Sequence, residues 1–417
     1  MNSRERVLAS LSHQQPDRVP VDCNAHRSSG MAVQAYKNLR EYLGLPKSEL
    51  YLYDVIQQLV IIEDDVLDYF NIDVVQLGYE YYKDPNYWKN WTHHNGETYK
   101  IPKYIDIQKN ANGDFVLYGD FDNVIAKMPK DGLYFGQTYY AYADSEDEEF
   151  NDLELQLNQN VWWRIGCPPS PNGFDEEGLR IRRENAKELR NSTTRAIYGI
   201  FGGSLLEVGQ QTFRMDNFLM EMAANEERVE KFLDKLLEIH MRNLALYLDS
   251  VGDYIDIIGF SDDLGMQTGS MFSIEMFCKY FKPRYAKMWN YIKLRYPNMK
   301  ICMHSCGGIF TIIPHLVEIG LDAINPVQIT CKGMEPAKLK EKYGDTMVFW
   351  GGGCDTRYVL SFGTTEEVRE NVKENVAAFK PSGGFIFQQV HNMLANVPPQ
   401  NIVAMYDAVK EFGKYHK

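Results

Sequence analysis

Two stretches decide the fold: Tyr254-Ile255-Asp256-Ile257-Ile258-Gly259-Phe260-Ser261-Asp262-Asp263 and Lys300-Ile301-Cys302-Met303-His304-Ser305-Cys306-Gly307-Gly308. Each is an apolar run of strand length that breaks into polar groups and glycine at its end. The same unit is read at 18–23, 73–79, 196–202, 254–260, 300–304, 321–326, 347–351 and 384–390. Segments of helical period lie between most of these runs, such as 226–248 and 364–379, the latter opening at Thr364 with Glu366 and Glu367 in its first turn. Eight strands alternating with helices predict an α/β fold, a (β/α)8 (TIM) barrel, with a doubly wound open sheet as the alternative.

Composition narrows the function classes. The 417 residues carry 44 Lys plus Arg against 57 Asp plus Glu, a net charge of −13, with 44% hydrophobic residues. That is ordinary globular composition, and an acidic chain without a lysine-rich block is a poor nucleic-acid binder. No apolar run approaches the ~20 residues of a membrane span. The charged start, Met1-Asn2-Ser3-Arg4-Glu5-Arg6-Val7-Leu8, is helix-like and unlike a secretory signal. Seven cysteines, an odd number, fit free thiols in a reducing compartment, so a cytoplasmic location is expected.

One interval breaks the rhythm. Residues at about 81–195, rich in Tyr, Trp, Asn and Asp, read as an insertion after the second strand of a single 1–417 barrel domain. Asn95-Gly96 and Asn112-Gly113 are hairpin signals, so a β-rich excursion over 90–140 is expected, followed by polar helix. Arg180, Arg182, Arg183, Arg190 and Arg195 fit helix-surface charge better than an anion site.

Barrel enzymes work at the C-terminal ends of their strands. Those ends here read Asn24-Ala25-His26-Arg27, Tyr79-Glu80, Gly202-Gly203-Ser204, Ser261-Asp262-Asp263, His304-Ser305-Cys306, Asn325-Pro326-Val327-Gln328, Gly352-Gly353-Cys354-Asp355 and His391-Asn392. His304 and Cys306, at i and i+2 of an extended chain, project to one side. One imidazole and one thiol suit zinc, with Cys354 or His391 as the third ligand; Cys302 fits a small core residue. Asp262 and Asp263 are adjacent, so one carboxylate is expected to enter the pocket and the other to cap a helix or bind backbone. Asp262 is taken as the group that orients or protonates substrate, and His391 as the alternative general acid. His26, Arg27, Asp263, Gln328 and Asn392 are taken to line the pocket, with Gln267 a further amide contact. No GxGxxG, GxxxxGK[ST] or GxSxG pattern supports a nucleotide cofactor or a serine hydrolase.

Several of these stretches together resemble the uroporphyrinogen decarboxylase superfamily, and within it the cobamide-dependent methyltransferase branch. They are Arg4-Glu5-Arg6-Val7-Leu8, Pro16-Asp17-Arg18-Val19-Pro20, His304-Ser305-Cys306-Gly307, Trp350-Gly351-Gly352-Gly353-Cys354-Asp355-Thr356, and His391-Asn392 with Val397-Pro398-Pro399-Gln400-Asn401-Ile402. The resemblance spans 1–80 and 196–417, and implies a (β/α)8 barrel, commonly a homodimer. The decarboxylases carry Arg-Gln-Ala-Gly-Arg after the first strand, where this chain reads Asn24-Ala25-His26-Arg27-Ser28-Ser29-Gly30, so only Arg27 is matched. The methyltransferase branch uses the His-x-Cys as two zinc ligands and a cysteine at the eighth strand end as the third. His391 holds that place here, with Cys354 on the loop before.

The resemblance therefore implies zinc at His304, Cys306 and Cys354 or His391, and methyl transfer to or from a corrinoid protein, a thiol, or a methoxy- or methylamine-type substrate. No Asp-x-His-x-x-Gly corrinoid loop occurs, so a separate partner would carry the cobamide. The alternatives are decarboxylation of a tetrapyrrole or smaller carboxylate, and a non-enzymatic metabolite-binding barrel.

Overall fold

The computed structural model describes residues 1–78, 84–164 and 173–415. Seven strands, β1 (Val74–Leu77), β2 (Ala196–Gly202), β3 (Ile257–Ser261), β4 (Lys300–His304), β5 (Ala323–Asn325), β6 (Val348–Trp350) and β7 (Phe385–Ile386), pair in chain order and in parallel. The segment 19–23 closes the ring. Phe387 N–H donates to Pro20 O at 2.8 Å, Asp22 N–H to Phe387 O at 2.9 Å, and Asp73 N–H to Val21 O at 2.8 Å. A parallel sheet curled into a barrel results, as the alternation of strand and helix predicts.

The strands expected at 18–23 and 384–390 are much shorter than read. The first is reduced to isolated bridges, Val21 with Phe387 in parallel and Arg18 with Lys414 antiparallel. Pro20 offers no N–H to a ladder, and Val21 N–H goes instead to the Asp73 carboxylate at 2.9 Å. Tyr79 and Glu80, the expected end of the second strand, lie outside the described residues.

Inside the ring, Val74, Tyr198, Ile200, Ile257, Cys302, Val348, Trp350 and Ile386 form one buried cluster, joined from below by Val7 and Leu11 of the helix Ser3–Leu11. Cys302 is thus a core residue, as its position suggests. Thr364 caps the helix Thr365–Phe379 through a reciprocal contact with Glu367.

Three aspartates, each one residue before a strand, tie the lower rim. Asp73 accepts from Arg6 Nη1 at 2.7 Å and Arg18 Nη1 at 2.6 Å. Asp256 accepts from Arg4, Arg190 and Ile197 N–H, and Asp322 from Lys293 and Ile301 N–H. The carboxylate of Asp73 is fully buried. Asp73→Ala therefore removes a buried partner of Arg6 and Arg18 and the acceptor of Val21 N–H, and should lower stability by about 3 kcal/mol, read from the urea unfolding midpoint. Loss of the exposed Glu177, which pairs with Arg180 on a helix surface, should leave that midpoint in place.

The interval between β1 and β2 contains the expected β-rich excursion. A hairpin pairs Trp88–Thr92 with Thr98–Pro102 around Asn95-Gly96. A four-stranded antiparallel sheet follows from Ile107–Lys109, Phe115–Tyr118, Val124–Met128 and Gly136–Gln137, turning first at Asn112-Gly113. The helix Glu176–Ser192 completes the interval. Its arginines are structural: Arg180 bridges Glu177 and Glu184, Arg190 binds Asp256, and Arg183 donates to Asp249 O. Among the described residues no helix is long and apolar enough to cross a membrane.

Candidate metal centre

Strand β4 ends at His304, and the extended chain beyond it returns Cys306 to the same side. His304 Nε2 and Cys306 Sγ are 3.4 Å apart. The loop is held from both flanks: Cys306 N–H donates to Asp263 Oδ1 at 2.8 Å, and Gly307 N–H to Gln328 Oε1. Gly307 has φ +89, and a Cβ there would meet the Gly265 carbonyl carbon at 2.2 Å, so the position admits only glycine. His391, beyond β7, completes the group: one ligand atom each from His304, Cys306 and His391 lies within 4.8 Å of the others.

Hydrogen bonds fix the tautomers of both imidazoles. Asn325 Nδ2 donates to the Trp350 carbonyl at 3.1 Å, which can only accept, so Asn325 Oδ1 is the acceptor for His304 Nδ1–H at 2.9 Å. The Nε2 lone pair of His304 is left facing Cys306. His391 is fixed by a longer chain. Arg27 Nε donates to Asp54 at 2.9 Å, Gln57 Nε2 to the same carboxylate at 3.1 Å, and Asn392 Nδ2 to Gln57 Oε1 at 3.1 Å. Asn392 Oδ1 must then accept Nδ1–H of His391 at 2.7 Å, freeing its Nε2. Such outer hydrogen bonds orient metal-binding imidazoles. Asn325→Ala is expected to lower zinc affinity roughly 10–100-fold in a chelator competition.

The surroundings disfavour protonation of His391 and His26. Burial, then His304, lowers His391 to about 4, and burial with His304 and Arg27 holds His26 well below its usual value. His26 stacks on His304 with centroids 4.9 Å apart. Burial and the nearby Asp263 push the Cys306 thiol well up. Two imidazole nitrogens beside a thiol fit a divalent cation, which would favour the thiolate.

Several expected residues act differently. Cys354 does not join the group: Gly353 N–H bonds Gln388 O and Val390 N–H bonds Cys354 O, turning the thiol into the apolar core, where it is fully buried. Asp262 also faces away. It accepts N–H from Leu205, Leu206 and Glu207 at 2.8, 2.8 and 2.7 Å, and the Tyr285 hydroxyl, so it caps the helix Leu206–Phe213. Burial raises it to about 6. Asp263 is the carboxylate that reaches the site, 3.5 Å from His304 Nε2. Gln328 supports the Gly307 loop, and Gln267 is an exposed partner of Arg357. Arg27 borders the cavity with Nε on Asp54, and Asn392 positions His391.

A cavity of about 310 Å³ opens beside His304 and His391. Its wall includes His26, Arg27 and Asp263, and residues that sequence reasoning passed over: Glu207, Gln57, and Trp162, Trp163 and Phe174 of the insertion. Glu207 follows the β2 end by five residues in a helical first turn, where it reads as a solvated face. Burial, with Asp263 and Asp262 nearby, raises its carboxyl well above the usual range.

The profile of the uroporphyrinogen decarboxylase (URO-D) family matches residues 203–412, about half of the chain and six of the eight strand ends above. The chain belongs to that family. A uroporphyrinogen decarboxylase of Vesicomyosocius okutanii subsp. Calyptogena okutanii (strain HA) is 25% identical over 129 residues, 31% of this chain. The match spans 35% of that relative's own length, about a third. Among solved structures, a methyltransferase from Methanosarcina mazei superposes with a TM-score of 0.59 at 16% identity, covering 99% of each chain. That likeness shows a shared fold over 99% of each chain. In this URO-D chain the His304–Cys306–His391 group and its cavity lie at the C-terminal ends of the strands, where barrel chemistry is found.

Proposed function

We propose that this URO-D family member is a zinc-dependent methyltransferase, moving a methyl group between a small-molecule donor or thiol acceptor and a corrinoid carried on a separate protein. The observation that carries the reading is the convergence of His304, Cys306 and His391, with the Nδ1 of each imidazole tied to an asparagine Oδ1 and the Nε2 of His304 3.4 Å from the Cys306 thiol. Two nitrogens and one sulfur suit zinc with a position left for substrate. Zinc held there would supply Lewis acidity toward a substrate thiol, ether oxygen or amine.

The chain's own residues do the remaining work. Asn325 and Asn392 aim the two imidazoles, and Asp263 fixes the Cys306 backbone from below. Trp162, Trp163 and Phe201 wall the cavity and exclude water around the reacting groups. Decarboxylation of a polycarboxylate tetrapyrrole finds less support. Among the described lining residues Arg27 is the only Lys or Arg, and its Nε is engaged by Asp54.

The reading is tested by mixing zinc-loaded protein with methylcobalamin and a small thiol and following the cobalt absorption. Thiol-dependent demethylation, absent in Cys306→Ser, is expected. Turnover of uroporphyrinogen with no change in the corrinoid spectrum would overturn it.

A further inference from the structure

The insertion brings its two cavity-lining indoles to the barrel on one short turn. Asn160 precedes the helix Val161–Arg164, and its Oδ1 accepts N–H from Trp162 at 2.9 Å and from Trp163 at 3.3 Å. A side-chain oxygen in that role caps a helix start and so fixes how the residues after it project. The two bonds also settle the orientation of the amide, so Nδ2 is the group that donates to Gln211 Oε1 at 2.9 Å. Asn160 is 2% exposed, so all three bonds are made away from bulk water.

Gln211 belongs to the barrel. It lies on the helix Leu206–Phe213 one turn beyond Glu207, and both residues line the cavity. Asp262 holds the start of that helix. Gln211 O accepts from Gln137 Nε2 at 2.6 Å, which ties the four-stranded sheet of the insertion to the same point. Beside this clasp, the Trp163 ring lies 5.7 Å from that of His240, whose Nε2–H donates to Ser204 O at 2.9 Å beyond the end of β2. One buried asparagine therefore links the turn that carries Trp162 and Trp163 to the helix that forms the facing wall.

We propose that Asn160 is a positioning residue that sets the size limit of the substrate, holding the Trp162–Trp163 turn against the barrel through its cap and its clasp on Gln211. The inference rests on the methyl-transfer reading with a thiol acceptor, and adds what limits that acceptor. Asn160→Ala takes from the two N–H groups and from Gln211 the partner that joins them, which releases the turn from the helix Leu206–Phe213. Space that the indoles occupy then becomes open to ligand, while His304, Cys306 and His391 stand on other elements and stay in place.

The test compares ethanethiol with 2-(1-adamantyl)ethanethiol, both primary thiols, as acceptors from methylcobalamin with the zinc-loaded full chain. Asn160→Ala should raise kcat/KM for the bulky thiol relative to the small one by at least about tenfold, the discrimination that one methylene carries in a close-fitting pocket. The shift should fall on KM of the bulky thiol rather than on kcat. Asn160→Asp still accepts both N–H groups, and can accept from Gln211 once that amide turns over, so it should restore the wild-type ratio. Asn160→Ser keeps a cap but is too short to reach Gln211; it should fall between the two, and serves should the alanine variant fold poorly. A ratio unchanged in Asn160→Ala, or shifted in Asn160→Asp, overturns the inference, because loss of stability alone lowers both thiols together. Calorimetric titration of the same thiols gives the ratio without turnover. Binding with Asn160-dependent selectivity while methylcobalamin stays intact upholds this inference and defeats methyl transfer. Transfer with a ratio indifferent to Asn160 defeats this inference alone, and a wild type that binds neither thiol overturns both.

Discussion

His304→Ala, Cys306→Ser and His391→Ala are each expected to abolish stoichiometric zinc, whereas Cys354→Ser retains it. Elemental analysis after dialysis should give one zinc per wild-type chain and a small fraction of that in each of the first three variants. The expectation follows from geometry: ligand atoms from three separated points of the chain converge within 4.8 Å, so removing one leaves a two-point site. The loss should exceed the roughly 10–100-fold that an outer hydrogen bond contributes. Because a ligand that binds only the folded state stabilises it, zinc should raise the unfolding temperature of wild type and Cys354→Ser, and not of the three ligand variants. Retention of zinc by His391→Ala with loss in Cys354→Ser would show that the cysteine reaches the metal after all.

The adjacent aspartates should separate as cleanly. Asp262→Ala leaves three backbone N–H groups and the Tyr285 hydroxyl buried without their acceptor. At about 1–3 kcal/mol for each stranded donor, the loss should reach at least about 4 kcal/mol and register as a large fall in the urea midpoint. Asp263→Ala, which touches the Cys306 loop and the cavity, should unfold near the wild-type midpoint while losing zinc affinity and methyl transfer. A stable Asp262→Ala that lacks only turnover would restore that residue to a catalytic role.

These two pairs show where sequence reading reaches and where it stops. Strand periodicity puts His304 and Cys306 on one side, and the structure agrees, because that inference uses only the two-residue repeat of an extended chain. The same repeat separates Asp262 from Asp263 but does not say which turns inward. That is set by where the helix Leu206–Phe213 begins, since its first N–H groups claim Asp262. His391 and Cys354 both follow barrel strands, and the choice between them depends on the Gly351 to Gly353 turn, which pairs with Gln388 and buries the thiol. Asn325 stands at a strand end in plain view, yet its value comes from a carbonyl on the neighbouring strand that fixes its amide. Trp162 and Trp163 were least legible, because the insertion reaches the cavity through tertiary packing that no local period records.

X-ray absorption at the zinc edge of the loaded wild-type protein tests the central claim most directly. The account predicts a single sulfur at about 2.3 Å and the multiple-scattering signature of two imidazoles at about 2.0–2.1 Å. Two sulfurs, or a first shell without imidazole, would contradict it.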